Sequence, residues 1–305
     1  MEWWQILLII LGSIFLLFLI ICIFPSIIVT CLLIHPRRFS RKNSKEYNAK
    51  MNFNKGCEIL ARNEFSITLR DGYVLHGDRN IIKGSKKFVI LCHGHCSNRE
   101  GSLRYSLIFN ELGFSTIIYD QRSHGDNKHK QITMGYLESQ DLVEIINKTY
   151  KDYGDDIVLG LAGVSMGGAT VLLSIKYQQK VNFIIDDCGY GSLKEVVRDM
   201  IKSYHLPPKL LLPFINLDLK ILHHWSFKDA EPLSIIKDNK VPILFIHGQK
   251  DNFVKIYHAH NLYNAATCKK KLVIFDTAWH AASITVDRGR YKKEVEDFLK
   301  EIGVL

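Results

Sequence analysis

The chain has no dense cysteine pattern, no internal repeat and no low-complexity tract, and each absence narrows its class. Its seven cysteines, Cys22, Cys31, Cys57, Cys92, Cys96, Cys188 and Cys268, are odd in number and scattered. A disulfide framework is therefore excluded and free thiols are expected. Cys92, His93, His95 and Cys96 crowd together, but adjacent residues at a strand end point apart and no second ligand pair stands at a recognised spacing. No metal is expected. No glycine-rich phosphate loop and no nicotinamide fingerprint occur, so no cofactor is implied. No basic face interleaved with aromatics appears in the folded part, which argues against a nucleic-acid partner.

What is present starts with an uncharged apolar run from Ile6 to Phe24, continuing past Pro25 to Ile34. A bilayer span needs about 20 such residues. The run exceeds the apolar core of a cleaved signal peptide and lacks a basic stretch before it. Residues 1–34 therefore read as a transmembrane anchor, with Trp3 and Trp4 at one interface. Between Arg37 and Arg62, eight Lys/Arg face only Glu46 and Glu58, which accounts for six of the chain's formal net charge of +9. The positive-inside rule favours the cytoplasm for the residues after the span, while export of a folded domain of this size past such charge stays open as the alternative. Residues 35–62 read as a basic juxtamembrane linker able to touch anionic headgroups.

Beyond the linker, 63–305 alternates short apolar runs with longer helical stretches. Glu64 to Arg70 and Tyr73 to Arg79 flank Asp71-Gly72, a hairpin signal. Six more strands are predicted near Phe88–Cys92, Ser115–Tyr119, Ile157–Leu161, Phe183–Asp186, Ile243–His247 and Leu272–Phe275. Helices fit Asn98–Leu112, Thr133–Tyr153, Met166–Gln179, Val254–Ala266 and Arg290–Glu301. This alternation implies an α/β fold: a sheet of about eight strands, mostly parallel, with helices on both faces. From about 189 to 232 no strand appears and leucines accumulate, far beyond an ordinary connection of about 2–6 residues. That insertion reads as a helical cap over the sheet's C-terminal edge.

The apolar strand before Gly163-x-Ser165-x-Gly167 passes straight into a helix, which would lift the Ser165 hydroxyl above the sheet on a strained turn. Asp251 follows one later strand, His280 follows the last, and His93-Gly94-His95 ends an early one. Ser, Asp and His in this order, each at a strand's C-terminal end, resemble the α/β-hydrolase superfamily. Within it the chain is similar to esterases, monoacylglycerol lipases and serine aminopeptidase-like hydrolases. The resemblance covers about residues 60–305. It implies Ser165 as nucleophile, His280 as general base and then acid, and Asp251 as the group that fixes the imidazole tautomer. It also implies an oxyanion hole at the backbone N–H groups of His95 and Met166. Tyr119-Asp120-Gln121-Arg122-Ser123-His124-Gly125 matches a turn common in these hydrolases, with Asp120 and Arg122 expected to pair with each other.

Each assignment has a rival in the sequence. Asp276 lies four residues before His280, and Asp186 and Asp187 follow the strand after the nucleophile helix. His93, His95 and His124 are alternative bases; His223 and His224 sit in the insertion as surface or pocket residues. The expected activity is cleavage of lipophilic acyl esters by a membrane-anchored enzyme, small-molecule ester and membrane lipid being its partners. The apolar insertion would supply the pocket. One alternative is a serine aminopeptidase-type peptidase, with Glu195, Asp199 and Asp218 clamping an amine. Another is a non-catalytic ligand-binding protein.

Overall fold

The computed structural model describes residues 1–53 and 55–305. Its first helix, α1 (Trp3–Ile34), is one helix long and apolar enough to cross a membrane. From Trp3 to Ile21 no side chain is buried, and burial begins at Cys22 and recurs at Ser26, Val29, Thr30, Leu33 and Ile34. That spacing is one face of a helix. The unburied part, 3–21, extends about 28 Å at ~1.5 Å per residue, close to the ~30 Å of a bilayer's hydrocarbon.

α2 (Arg41–Lys50) is capped by Ser40, whose side chain accepts from the Asn43 N–H. The sheet follows with β1 (Asn63–Thr68), β2 (Val74–Asn80), β3 (Lys87–Cys92), then α3 (Leu103–Glu111), β4 (Ser115–Tyr119) and α4 (Tyr136–Tyr153). Next come β5 (Val158–Val164), α5 (Met166–Ser174), β6 (Phe183–Asp187), α6 (Leu193–Ser203) and α7 (Pro208–His223). The chain closes with β7 (Ile243–Gly248), α8 (Tyr257–Ala265), β8 (Lys270–Phe275), α9 (Ser283–Val286) and α10 (Arg288–Glu301). The eight strands lie in the order β1-β2-β4-β3-β5-β6-β7-β8. β2 pairs antiparallel with β1 and β4; every other pairing is parallel.

Strand alternation divides the core. Phe88, Ile90, Leu159, Leu161, Ile243 and Phe245 face α4, α5 and α8, while Val89, Leu91, Leu244 and Ile246 face α3 and α10. The hairpin strands stop short of the expected two-residue turn. Leu69 N–H bonds the Tyr73 carbonyl and the Asp71 side chain takes the Tyr73 N–H, so the loop spans Leu69–Tyr73.

The insertion forms α6 and α7, and one face of α7 packs on α1. Leu211, Leu212, Ile215 and Leu219 pack in one cluster with Val29, Leu33 and Ile34. Ser26 Oγ reaches the Leu211 carbonyl at 3.4 Å, and the rings of His35 and His223 lie 6.4 Å apart. α1 and α7 therefore run side by side in the same direction.

A buried ionic network ties the N-terminal segment to the sheet. Arg99 is 2.7 Å from Asp120, 3.2 Å from Asp78 and 2.9 Å from Asp126. Glu100 binds Arg62 at 2.8 Å and Arg41 at 3.0 Å, and Arg62 also pairs with Asp78. Asp120 and Arg122 do not pair with each other as expected. Arg122 instead makes a bidentate pair with Asp141, at 2.9 and 2.6 Å, and reaches Asp71 at 2.8 Å. Removing one member of a buried pair strands its partner's charge and costs about 3–5 kcal/mol. Arg99→Met should accordingly lower stability by that order, read as the shift in the thermal midpoint of the detergent-solubilised chain; an unchanged midpoint would deny the network a stabilising role.

Candidate active site

Ser165 joins β5 to α5 with φ 57 and ψ −118, in the left-handed half of conformational space that a serine enters only under constraint. The turn is too tight for side chains on either flank. A Cβ on Gly163 would lie 2.1 Å from the Gly167 carbonyl oxygen, and one on Gly167 would lie 2.1 Å from the Cys92 carbonyl oxygen. The sequence pattern thus has a steric cause.

Ser165 Oγ lies 2.8 Å from His280 Nε2, and His280 Nδ1 lies 2.7 Å from Asp251 Oδ2. The bonds give Nδ1 the proton and leave Nε2 to accept from the hydroxyl. Asp251 Oδ1 accepts the N–H groups of Phe253 and Val254 at 3.0 and 2.9 Å, which orients the carboxylate. The loops carrying acid and base are laced together: Gln249 N–H bonds the Phe275 carbonyl and Lys250 N–H the Ala278 carbonyl, at 2.9 and 3.0 Å. Gly248 permits that approach, since a Cβ there would lie 2.3 Å from the Ala278 oxygen.

The rivals fall elsewhere. Asp276 is exposed, and His280 turns its Nδ1 to Asp251 instead. Burial, reinforced by its neighbour Asp187, pushes the Asp186 carboxyl up to about 8, and Asp186 accepts only the Gly189 N–H. Asp187 is pushed up to about 6 by burial and accepts from Tyr105. His93 Nε2 accepts the Gln121 N–H at 2.9 Å, and burial lowers its imidazole to about 4. His124 is buried edge-on against His93, with its pKa depressed well below the ordinary value by burial. His223 bonds Gln131, away from Ser165.

Gly94 packs against the nucleophile, its notional Cβ 3.4 Å from Ser165 Cβ. Met166 opens α5, so its N–H has no intrahelical acceptor. Among the described residues, neither the Met166 nor the His95 amide donates to a protein group. His95 lines the same cavity as Ser165 and Met166 follows the nucleophile directly, so these two N–H groups are the candidates to receive negative charge developing on a bound carbonyl oxygen.

The Cys92, His93, His95, Cys96 group is split: Cys92 Sγ bonds Tyr119, its thiol pushed up to about 12 by burial, while the His95 ring meets the Cys96 thiol through Nδ1 and the Leu33 carbonyl through Nε2. Cys188, Asp251 and His280 do converge within 4.8 Å. Both ring nitrogens of His280 and Oδ2 of Asp251 are, however, already taken up in the line to Ser165.

A cavity of about 310 Å³ opens over Ser165 and His280. Its wall comes from Phe39, Tyr47, Phe53, Arg104, Tyr105 and Val164. None of the residues lining it belongs to 189–232, so the insertion does not build the pocket as expected; the segment 39–53 does. Sequence patterning hides those aromatics because they stand among lysines and arginines, although three rings in fifteen residues of a basic stretch are themselves a signal of an apolar contact surface, here a cavity wall on which Phe39 and Tyr47 stay about half exposed. Arg104 stacks over Phe53 and Tyr105 and bonds Thr285 Oγ and the Ala281 carbonyl at 2.8 and 3.1 Å.

Known proteins are similar to this chain in sequence or in fold. The model of the family described as serine aminopeptidase, S33, matches residues 83–231. An uncharacterized Bacillus subtilis protein, YqkD, is 28% identical over 278 residues, covering 88% of this chain and 91% of that one. An uncharacterized membrane protein of Saccharomyces cerevisiae is 27% identical and covers 65% of each chain. A proline iminopeptidase of Saccharolobus solfataricus is 27% identical over 45% of this chain and 46% of its own. Among solved structures, the Pyrococcus furiosus esterase Pf2001 superposes with a TM-score of 0.64 at 24% identity, over 81% of this chain and 93% of that one. At such identity the likeness is one of fold.

The geometry separates the two candidate acids. Asp251→Asn should slow fluorophosphonate labelling of Ser165 by several orders, about 10⁴ where the imidazole is left in the wrong tautomer. Asp276→Asn should label at the parental rate; the reverse order would exchange the two roles.

Proposed function

We propose that this chain, a member of the α/β-hydrolase superfamily, is a membrane-anchored serine hydrolase that cleaves lipophilic carboxylic esters. The observation that carries the reading is the unbroken line from Asp251 through His280 to Ser165 at the foot of an aromatic-lined cavity. Ser165 Oγ attacks the ester carbonyl carbon as His280 Nε2 takes its proton. The carbonyl oxygen, now negative, is held by the N–H groups of His95 and Met166. Asp251 stabilises the imidazolium, which hands the proton to the departing alkoxide oxygen. Water, deprotonated in turn by His280, then releases the acid from acyl-Ser165.

A cavity of about 310 Å³ is at the small end of ligand pockets, which run ~300–1,000 Å³. With Phe39, Tyr47 and Phe53 on its wall it favours an acyl chain over a peptide. A peptidase reading is supported by the family description and by the iminopeptidase relative, and it needs a free carboxylate for the substrate's amine. Glu195 and Asp199 are engaged by Arg198, and Asp199 also by Lys255. Neither they nor Asp218 line the cavity; Glu100 does, but Arg41 and Arg62 neutralise it. These pairings favour the ester.

On this reading residues 1–34 are the anchor and 63–305 the hydrolase domain, with 35–62 between them and 189–232 inserted in it. The apolar helix and the name of the yeast relative support the anchor, and the basic residues after it favour a cytoplasmic domain.

Ser165→Ala in the full chain should abolish p-nitrophenyl ester hydrolysis and fluorophosphonate labelling while leaving the thermal midpoint in place; near-parental turnover would overturn the mechanism. Phe53→Ala should raise KM for an octanoyl ester about tenfold through lost apolar contact yet leave the acetyl ester unaffected. An equal change for both esters would remove the ring from the acyl site.

A further inference from the structure

The loop after β3 carries the His95 N–H, and its shape is imposed from outside. Cys96 sits at φ 63, a strained conformation for a residue with a side chain. Such strain persists only where the surroundings over-determine it. Here the surroundings are the last turn of α1 and the segment leading into α2.

Hydrogen bonds cross between them at several points. His95 Nε2–H donates to the Leu33 carbonyl at 2.9 Å, and its Nδ1 lies 3.4 Å from the Cys96 thiol. Phe39 N–H donates to the Cys96 carbonyl at 3.0 Å. The Asn98 amide donates to the Phe39 carbonyl at 2.9 Å and to Ser44 Oγ at 2.8 Å. Asn48 donates to the Glu100 carbonyl at 3.0 Å, beside the Arg41–Glu100 ion pair.

The Leu33 carbonyl is one of the four at a helix C-terminus that no intrahelical N–H can satisfy. Its neighbour, the Ile34 carbonyl, accepts the Ile132 N–H at 3.0 Å. The end of the apolar helix is thus completed by the folded domain, and one of the completing groups is the ring of His95, which lines the cavity over Ser165 and follows Gly94, the residue packed on that serine.

We propose that His95 is a positioning residue: by bonding the last turn of α1 through its ring, it aims its own backbone N–H at the oxyanion. The inference rests on the serine-hydrolase reading and adds that the end of the anchor helix belongs to the catalytic machinery. An N–H that meets charge only in the transition state acts on kcat and leaves KM alone. Complete loss of one such donor typically costs about 10²–10³ in turnover, which sets the ceiling for misaiming it.

The test uses the full chain in detergent micelles with a p-nitrophenyl ester, comparing the parent with His95→Ala, His95→Gln and Ser165→Ala. His95→Ala should lower kcat about 10–100-fold at nearly constant KM. His95→Gln, whose amide can donate to the same carbonyl, should recover most of that loss. Should the alanine variant not fold, His95→Phe fills the space without a donor and is read in the same way. Parental kcat in a folded variant lacking the donor would overturn the proposal. So would a joint change in kcat and KM that glutamine does not restore. Parental turnover in Ser165→Ala would instead overturn the serine-hydrolase reading, so the two failures are told apart.

Discussion

Ser165 is held at φ 57 between a buried strand and a buried helix, and the rest of the site is arranged around that one conformation. Backbone strain of this kind costs of order 1–3 kcal/mol. It is sustained because β5 lies between β3 and β6, while α5 is buried along its whole length. The close approach at Gly163 and Gly167 brings the end of β3 against the elbow, which sets the 93–96 loop beside the hydroxyl. The loops after β7 and β8, bonded to each other, then meet the hydroxyl with an imidazole already oriented.

The second organising fact is where the basic charge goes. Arg41 and Arg62, two of the eight basic residues in 35–62, turn inward to Glu100 and Asp78 and are structural. The same inward turn brings Phe39, Tyr47 and Phe53 over the nucleophile. A segment that would otherwise serve as a tether becomes a wall of the pocket.

The eight strands, their helices and the convergence of Ser165, Asp251 and His280 were legible because each follows a local rule. Apolar runs of strand length alternate with helical stretches, and the chemistry stands at strand ends. What was not legible depended on which distant surface a residue meets. Asp120 and Arg122 are near neighbours in sequence, yet residues two apart on a turn need not face each other; one is claimed by Arg99, the other by Asp141. The leucines of 189–232 read as a substrate pocket because apolar side chains there must be covered by something. α1 covers Leu211, Leu212 and Leu219, while Leu206, Leu217 and Leu222 stay exposed, and periodicity in α7 alone cannot distinguish a helix from an acyl chain as its partner. The aromatics of 39–53 were hidden by the converse effect, charge that suggested solvent.

The parallel packing of α1 against α7 makes the domain stand on a post. A protein on a flexible leash samples a hemisphere of orientations and meets substrate much as a dissolved enzyme does. On the proposed reading of α1 as a bilayer anchor, its last three turns, clasped by α7 and by the 93–100 loop, would hold the pocket mouth at one height and one bearing relative to the membrane surface. Encounter with the proposed lipophilic ester would then be a two-dimensional matter, governed by how often it diffuses under a fixed aperture.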